Sequence, residues 1–278
     1  MTKFISIIGC GKVGKTLSRL WTLNGALHIQ DILNRSVDSA TRASAFIGAG
    51  RAIASYADLQ PADIYLIAAP DDQIEHCCEE LSRTGNLSAD SIVFHCSGAL
   101  PSSVLQAACQ QGAAVASIHP IRSFASPEKV IQSFTGTFCG MEGDQRALDV
   151  LQQAFTAIGA QLVSIKADAK ILYHAAAVFS SNYLVTLLDV AQQAYIQAGI
   201  APDVALKLIE PLMRETADNV FRLGTEAALT GPIARGDMAT AEKQLRAVAQ
   251  WNPACAALYE QFMKLTVDLA ARRDNCKN

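Results

Sequence analysis

The feature that most constrains the fold is a glycine-rich turn near the start of the chain, within the segment FISIIGCGKVGKTLSRLW. Gly9, Gly11 and Gly14 follow a short apolar run and open a segment with helical spacing, which is the context that the pattern Gly-x-Gly-x-x-Gly requires. The first glycine permits a tight turn, the second lets a diphosphate approach the backbone, and the third lets helix and strand pack closely. The motif predicts a dinucleotide site formed by Gly9, Cys10, Gly11, Lys12, Val13 and Gly14.

Up to about residue 165, short apolar runs alternate with segments of helical spacing. This alternation predicts an α/β fold with a doubly wound, mostly parallel sheet of the Rossmann type. The strands are predicted near residues 3–8, 27–33, 63–68, 91–95, 113–118, 135–140 and 161–165. The helices between them are predicted near residues 12–24, 37–47, 71–83, 101–111 and 144–158.

After about residue 165 the strand-like runs end, and the change of period predicts two domains, a nucleotide-binding domain over 1–165 and an all-α domain over 166–278. One segment of the second domain, 168–198, is apolar around much of its circumference, and such helices are normally buried in a core or between subunits. We therefore expect a homodimer that forms through the helical domain. The helices of this domain are predicted near residues 168–198, 202–222, 238–249 and 253–273.

Composition narrows the partners that the chain can have. The formal net charge is −3 and 18% of the residues are charged, so neither nucleic acid nor an anionic membrane is an expected partner. No uninterrupted apolar run reaches the roughly 18 residues of a membrane span, so no spanning helix is expected. The eight cysteines show no metal-ligand spacing, so no metal is expected, and their scatter in a leaderless chain suits the reducing cytoplasm.

The end of the second predicted strand bears on the choice of coenzyme. An acidic residue about 20 positions past the last glycine would bind a ribose 2′-hydroxyl, but the segment DILNRS places Asn34 there, followed by Arg35 and Ser36. An arginine with two small polar neighbours suits a 2′-phosphate through charge-assisted hydrogen bonds. Asp31 is the competing candidate, but it lies three residues upstream, inside the strand. We therefore expect NADP(H) in preference to NAD(H).

Two further strand ends are expected at the same edge of the sheet, where open α/β sheets bind their ligands. Ala68, Ala69 and Pro70 end one strand and are expected to line the cofactor crevice. Ser97 follows another strand, and it is either an ordinary turn residue or a group within reach of the nicotinamide.

The segment ASIHPIRSF ends a third strand with a titratable ring and a fixed cation. His119 is a candidate acid or base at the substrate side, because the pKa of histidine lies near neutral pH. Arg122 and Ser123 could bind an anionic group of a substrate, with the arginine fork on a carboxylate. The alternative is a histidine satisfied by a turn, with Pro120 merely ending the strand.

The helical half adds a second candidate in KILYHAAAVFSSNYLVTLLDVA. Five residues, four of them polar, recur there at spacings of four, four, four and three and predict one stripe along a helix. The stripe consists of His174, Val178, Asn182, Thr186 and Asp189. His174 is either an acid or base or a hydrogen-bonded core residue, because buried polar groups need partners.

A third segment of interest, ALTGPIARGD, is unusual for a helical domain. Gly231 and Pro232 break the helix, and Arg235 is expected on a shaped loop before Asp237, which is a predicted helix N-cap. Arg235 could bind an anionic substrate group, and a simple turn between helices is the equal alternative.

The glycine pattern with NRS, HPIRSF, YHAAAVFSSNYLV and ALTGPIARGD resembles a family of uncharacterised oxidoreductase-like proteins, which pair a Rossmann-like domain with a helical C-terminal domain of unknown function. More distantly, the chain is similar to pyrroline-5-carboxylate reductase, deazaflavin-dependent NADP reductases, β-hydroxyacid dehydrogenases and prephenate dehydrogenase. The resemblance implies an NADP-type cofactor in the first domain, a substrate in the cleft between the domains, and dimerisation through the helices. One departure is clear: β-hydroxyacid dehydrogenases carry a catalytic lysine four residues before a helical asparagine, where this chain has Val178 before Asn182.

The resulting prediction is an NADP(H)-dependent reductase or dehydrogenase that transfers hydride to or from a small polar substrate. The acid or base stays open between His174 and His119, while Asn182 and Ser97 are expected to orient the substrate or the nicotinamide. A non-catalytic protein that binds NADP(H) to sense or regulate is the alternative, because the catalytic lysine is missing. A prephenate-dehydrogenase-like enzyme, suggested only by the His119-Pro120 pair, is the third.

Overall fold

The computed structural model describes residues 2–275 of the chain. Its strands form one sheet in the order β3-β2-β1-β4-β5-β6-β7-β8, in which neighbours are parallel except for the antiparallel pair β6 and β7. The predicted doubly wound, mostly parallel sheet is confirmed. The strands are β1 (Lys3–Ile8), β2 (Leu27–Leu33), β3 (Arg51–Ile53), β4 (Ile64–Ile67), β5 (Ile92–His95), β6 (Ala114–Pro120), β7 (Phe138–Gly143) and β8 (Gln161–Ser164).

Helices cover both faces of this sheet, which explains why its strands are nearly continuous apolar runs. They are α1 (Lys12–Asn24), α2 (Val37–Ile47), α3 (Asp71–Arg83), α4 (Gln106–Gln110), α5 (Pro127–Gln132) and α6 (Gln145–Ala157). One core packs α1, α2, α5 and α6 on the sheet, and a second core packs α3 and α4 on the opposite face. Trp21 of α1 is fully buried edge-on against Phe94 and Phe155, so this helix is fixed firmly behind the glycine turn.

The described residues after β8 form helices only. They are α7 (Lys170–Ser180), α8 (Asn182–Gln197), α9 (Pro202–Leu223), α10 (Thr225–Ala228), α11 (Met238–Trp251) and α12 (Pro253–Asn275). The chain divides into two compact units, Met1–Val178 and Phe179–Asn278. Most of α7 therefore belongs to the unit that contains the sheet.

The single helix predicted over 168–198 is wrong, because the structure divides it into α7 and α8. Ser181 lies between them with φ −127° and ψ −71°, outside the helical region. The predicted polar stripe is therefore interrupted between His174 and Asn182. No glycine or proline marks this break in the sequence.

Of the described residues, one stretch is long and apolar enough, by length and composition only, to cross a membrane. This stretch is Ala167–Gln197, with 31 residues. Its most apolar window has a mean hydropathy of 1.4, and no residue of that window is buried. The break at Ser181 interrupts it, and Lys170 near its start is buried and paired with Glu142 of β7. An apolar helix that another protein surface covers has the same composition.

Candidate functional site

The turn between β1 and α1 has the backbone geometry of a diphosphate site. Gly9 has a φ of +79°, and a Cβ on it would lie 2.7 Å from the backbone nitrogen of Ala69, so a side chain is excluded there. A Cβ on Gly11 would meet no atom within 4 Å, which leaves that side of the turn open. A Cβ on Gly14 would lie 3.3 Å from Cβ of Ala68, because α1 packs closely on the strand ends.

The first turn of α1 leaves backbone donors for an anion. The helical hydrogen-bond ladder begins with Lys15 N donating to Gly11 O at 2.9 Å, so the N–H groups of Lys12, Val13 and Gly14 precede it. The first turn of α1 contains no acidic residue, and its N-terminus carries partial positive charge. These residues fit the diphosphate of a dinucleotide.

The carboxylate that competes for a ribose hydroxyl is already engaged. Asp31 is fully buried in β2, where its two oxygens accept hydrogen bonds from Arg51 Nε and from Gln60 N, both at 2.8 Å. Asp31 therefore connects β2 to β3 and to the segment that follows β3. The structure gives it no free oxygen for a ribose.

Asn34, Arg35 and Ser36 follow β2 beside the glycine turn, and they differ in what they contact. Asn34 Oδ1 accepts from Cys10 N at 2.6 Å and its Nδ2 donates to Ser39 Oγ at 3.1 Å, so this side chain braces the turn. Ser36 caps α2 by accepting from Ser39 N at 3.3 Å. Arg35 is exposed, and no hydrogen bond or ion pair joins it to another described residue, so its guanidinium is free for a ligand.

The small residues after β4 border the same turn. Ala68 N donates to Ile8 O at 2.8 Å, and Ala69 lies against Gly9. Pro70 precedes the first residue of α3 and is exposed. Small side chains therefore border the open side of the turn at Gly11.

A cluster of two histidines and a tyrosine lies at the carboxyl end of β6. His119 Nδ1 is 3.0 Å from Tyr173 Oη, and the rings of His119 and His174 lie 5.7 Å apart between centroids at an angle of 77°. Tyr173 and His174 come from α7, within the compact unit of the sheet. The structure therefore brings together the two histidines that sequence spacing left as separate candidates.

Gly98, after β5, lies between the two imidazole rings. A Cβ on Gly98 would lie 2.8 Å from Cε1 and 2.9 Å from Nε2 of His119, and closer still to Nδ1 of His174. The φ of Gly98 is outside the left-handed region, so glycine is needed here for space alone. The Gly98 backbone therefore sets the positions of both rings.

The two histidines are both left with Nε2 as the available nitrogen. His174 Nδ1 is buried and has no hydrogen-bond partner among the described residues, so Nε2 is the nitrogen through which His174 can meet a ligand. His119 uses Nδ1 for Tyr173, which likewise leaves Nε2. Each ring thus offers one nitrogen for chemistry.

Burial controls the charge of this cluster. Burial, the His174 ring and the Lys170 cation lower the pKa of His119 to about 4, and burial raises the pKa of Tyr173 to about 12. Both groups are therefore uncharged at neutral pH. An uncharged imidazole can accept a proton or donate a hydrogen bond, but it cannot act as an imidazolium acid.

Ser97 is buried, and three hydrogen bonds occupy its hydroxyl. It donates to Asp71 Oδ2 at 2.8 Å and accepts from Ala99 N at 3.1 Å and Leu100 N at 3.0 Å. These contacts favour the turn role, which was one of the two alternatives for Ser97. A direct contact with the nicotinamide stays a prediction.

The guanidinium of Arg122 is engaged within its own loop. One terminal nitrogen donates to Ser133 O and to Thr137 Oγ1, the latter at 3.2 Å, and the other donates to Ser133 Oγ at 2.8 Å. Arg122 therefore clamps the connection between β6 and β7, while Ser123 next to it is exposed. Anion binding by either residue stays a prediction.

The remaining predicted site residues belong to the second unit. Asn182 is the first residue of α8, and Arg235 is exposed in a short 3₁₀ turn, Ile233–Arg235. Asp237 accepts from Thr240 N at 3.1 Å and caps α11, as predicted. The roles of Asn182 and Arg235 toward a substrate stay predictions.

Sequence reasoning missed Tyr173, which contacts His119, and it missed the buried pair of Lys170 and Glu142. Only Lys170 left a signal, because it stands one helical turn before His174 and extends the polar stripe of α7 backwards. Among the residues that the structure describes, no group of three or more His, Cys, Asp or Glu side chains could hold a metal ion.

Comparison with known families gives the same two-part organisation. Residues 2–120 match the family model of a Rossmann-like domain, and residues 137–266 match the domain of unknown function DUF2520. The chain combines a Rossmann-like domain with a DUF2520 domain. His119 lies in the Rossmann-like match, whereas Tyr173 and His174 lie in the DUF2520 match. The candidate cluster is therefore built from both parts of the chain.

Solved structures share this fold over nearly the whole length. Protein TM1727 from Thermotoga maritima is 29% identical, with 97% of this chain and 99% of that chain covered and a TM-score of 0.77. A protein named as a candidate NADP oxidoreductase from Bacteroides fragilis is 21% identical, with 96% and 98% covered and a TM-score of 0.74. A pyrroline carboxylate reductase from Plasmodium falciparum with NADP bound is 11% identical, with 96% and 98% covered and a TM-score of 0.59. None of the curated proteins compared with the chain has a significantly similar sequence.

Proposed function

We propose that this Rossmann–DUF2520 protein is an NADP(H)-dependent oxidoreductase that transfers hydride to or from a small polar substrate. The observation that carries the proposal is that the open turn at Gly11 and the cluster of His119 and His174 both follow carboxyl ends of strands in one sheet. Ligands of open α/β sheets bind at that edge. The structural neighbours, which include NADP-type oxidoreductases, support the same class of activity.

The chain's own residues would bind and orient the cofactor, which supplies the hydride chemistry. The backbone N–H groups of Lys12, Val13 and Gly14 would donate to the diphosphate. The free guanidinium of Arg35 would bind the 2′-phosphate.

His119 is the group that we propose to handle the proton. Because its pKa is about 4, the ring is neutral near pH 7 and Nε2 can accept a proton from a substrate hydroxyl during oxidation. In the reverse direction the same nitrogen, protonated from solvent, would return that proton to the oxygen of the reduced carbonyl, with Tyr173 fixing the ring through Nδ1. His174 is the second candidate, since only its Nε2 is open to a ligand.

The experiment that tests this function separates binding from catalysis. Calorimetry with NADPH and NADH is followed by measurement of NADPH absorbance against keto acids, cyclic imines and aldehydes. Gly11→Ala is the matched control, because the added methyl meets no protein atom but fills the open side of the turn. We expect NADPH binding that Gly11→Ala weakens and oxidation by one class of the panel; a protein that ignores both nucleotides would refute the proposal.

A non-catalytic NADP(H) sensor is the second candidate function. The observation that favours it is Val178, an apolar residue where β-hydroxyacid dehydrogenases carry the catalytic lysine. Tight NADPH binding with no oxidation by any substrate class would favour the sensor over the enzyme.

Arg35→Ala is expected to reduce the preference for NADPH over NADH. Hydrogen bonds to charged groups contribute about 1.5–3 kcal/mol, which corresponds to about tenfold or more in the ratio of the two dissociation constants. Calorimetry with both nucleotides measures the ratio, and Arg42→Ala, an exposed arginine on α2, is the control. An unchanged ratio of the NADPH and NADH dissociation constants in Arg35→Ala would show that Arg35 does not bind the 2′-phosphate.

We also propose a homodimer that forms through the helical unit. No residue of α8 is buried, and large apolar side chains such as Val185, Leu212 and Phe221 are 59–87% exposed. Exposed apolar surface of this extent marks an interaction site. Sedimentation velocity should give twice the monomer mass of 29.6 kDa, and a monomer at all concentrations would contradict the proposal.

The cytoplasm is the proposed location. The seven cysteines within the described residues are all unpaired, which suits a reducing compartment. The net charge of −3 gives no reason to expect nucleic acid or anionic lipid as a partner.

A further inference from the structure

A buried ion pair involves the first residue of α7, one helical turn before Tyr173 and His174. Lys170, in the first turn of α7, is 1% exposed, and its Nζ is 3.4 Å from Oε1 of Glu142 on β7. Nζ also donates to Oγ of Ser117 on β6. One ammonium group therefore joins the start of α7 to two neighbouring strands.

The carboxylate end of this pair is held from the other side. Glu142 is 6% exposed and accepts hydrogen bonds from Ser102 N at 2.8 Å and from Ser102 Oγ at 2.7 Å. With Lys170, these contacts satisfy the charged form of Glu142. Ser117 Oγ in turn donates to Ser97 O at 3.4 Å, which links the pair to the turn that carries Gly98.

The position of Lys170 along α7 connects the ion pair to Tyr173 and His174 of the histidine cluster. Residues i, i+3 and i+4 share one helix face, so Lys170, Tyr173 and His174 point to the same side of α7. Anchoring Lys170 on β6 and β7 fixes the rotation of the helix. That rotation sets the 3.0 Å contact of Tyr173 with His119.

Stability alone does not explain such a pair. Replacing a buried ion pair by apolar residues of similar volume is often neutral or stabilising, since desolvation offsets the Coulomb attraction. We propose that Lys170 and Glu142 are a positioning pair for the candidate site, which fixes α7 on β6 and β7 and holds a cation beside the histidines. The inference rests on the proposed function only in giving those histidines a chemical task.

The cation acts within a defined set of titratable neighbours. Lys170 and His174 both lower the pKa of His119, after the larger effect of burial. Lys170 also lowers the pKa of His95, which burial alone already depresses. The groups that line this region are Lys170, Tyr173 and His174 of α7, Glu142 and Cys139 of β7, His95 and Cys96 at the end of β5, and Asp71 of α3.

The test is the titration of His119, which needs neither cofactor nor substrate. Ring signals of the five histidines are followed by NMR against pH, and His119→Gln identifies the signal of His119. The variants are Lys170→Met and the double variant Lys170→Met with Glu142→Leu, which removes both charges. Lys207→Met is the matched control, because Lys207 of α9 pairs with Asp203 but is 75% exposed.

In Lys170→Met we expect the pKa of His119 to rise by about one pH unit, because a cation is lost and a buried carboxylate remains. The double variant should show a smaller rise and a higher melting temperature than Lys170→Met. Should Lys170→Met fail to fold, the double variant carries the test. A folded variant of either kind in which His119 titrates as it does in Lys207→Met would overturn the inference, whatever the protein's activity.

Discussion

Gly98→Ala is expected to lower turnover by about 100-fold or more, because misplacing a reacting group by about 1 Å costs that much. The new methyl would lie 2.8 Å from Cε1 of His119 and closer to Nδ1 of His174, so both rings must move. Overpacking of this kind costs about 1–3 kcal/mol of stability, which leaves a folded protein to measure. The measurement is the rate of NADPH oxidation with the substrate class identified in the panel.

Gly11→Ala supplies the control for Gly98→Ala, since it makes the same chemical change at the other end of the site. Gly11→Ala should weaken NADPH binding and leave the NMR signals of His119 and His174 in place. Gly98→Ala should shift both histidine signals and leave NADPH binding nearly unchanged. Full turnover in Gly98→Ala would show that the ring positions do not matter for the reaction.

The second large effect is expected from the histidines themselves. Substituting the histidine that handles the proton by alanine should lower turnover by about 100- to 10,000-fold, the range of general acid–base catalysis. NADPH binding should change little, since neither His119 nor His174 lies at the glycine turn. The two single variants, His119→Ala and His174→Ala, are compared by steady-state rates and by calorimetry with NADPH.

The pH profile tests the role of His119 further. A neutral His119 is the active form as a base, and its pKa of about 4 places the loss of activity near pH 4 as the pH falls. A profile that instead falls near the ordinary histidine pKa of about 6.5 would point away from His119. Wild-type turnover in both single variants would exclude the proposed proton transfer.

The helices and strands that the sequence predicted best are those whose ends carry strong local signals. The bounds of α1, α2 and α3 agree with the prediction, because Gly25 and Gly48 end the first two with φ of +63° and +76° and Pro70 precedes the third. The three-residue strand β3 was missed, since it is too short to show a period and forms only by pairing with β2. The six-residue helix α5 was missed because it, too, is too short to show a period.

The sequence predicted individual residues of the candidate site, but it did not predict which of them lie close together. His119 and His174 stood out as titratable groups, but their proximity depends on contacts between residues more than 50 positions apart, such as His119 with Tyr173. The pairing of Lys170 with Glu142 could not be predicted from the sequence, because burial is a property of the packed helix and sheet. Asn34 stands where the ribose carboxylate was expected, yet its partner is Cys10 N.

That contact of Asn34 bears on any attempt to redesign coenzyme choice. Its amide accepts from Cys10 N in the glycine turn and donates to Ser39 of α2, so one side chain joins the two segments that we propose to bind the coenzyme. We therefore expect a substitution of Asn34 to change both the affinity for the coenzyme and the preference between NADP(H) and NAD(H). Arg35, which is exposed and has no hydrogen bond or ion pair to another described residue, is the position at which we expect the preference between coenzymes to change alone.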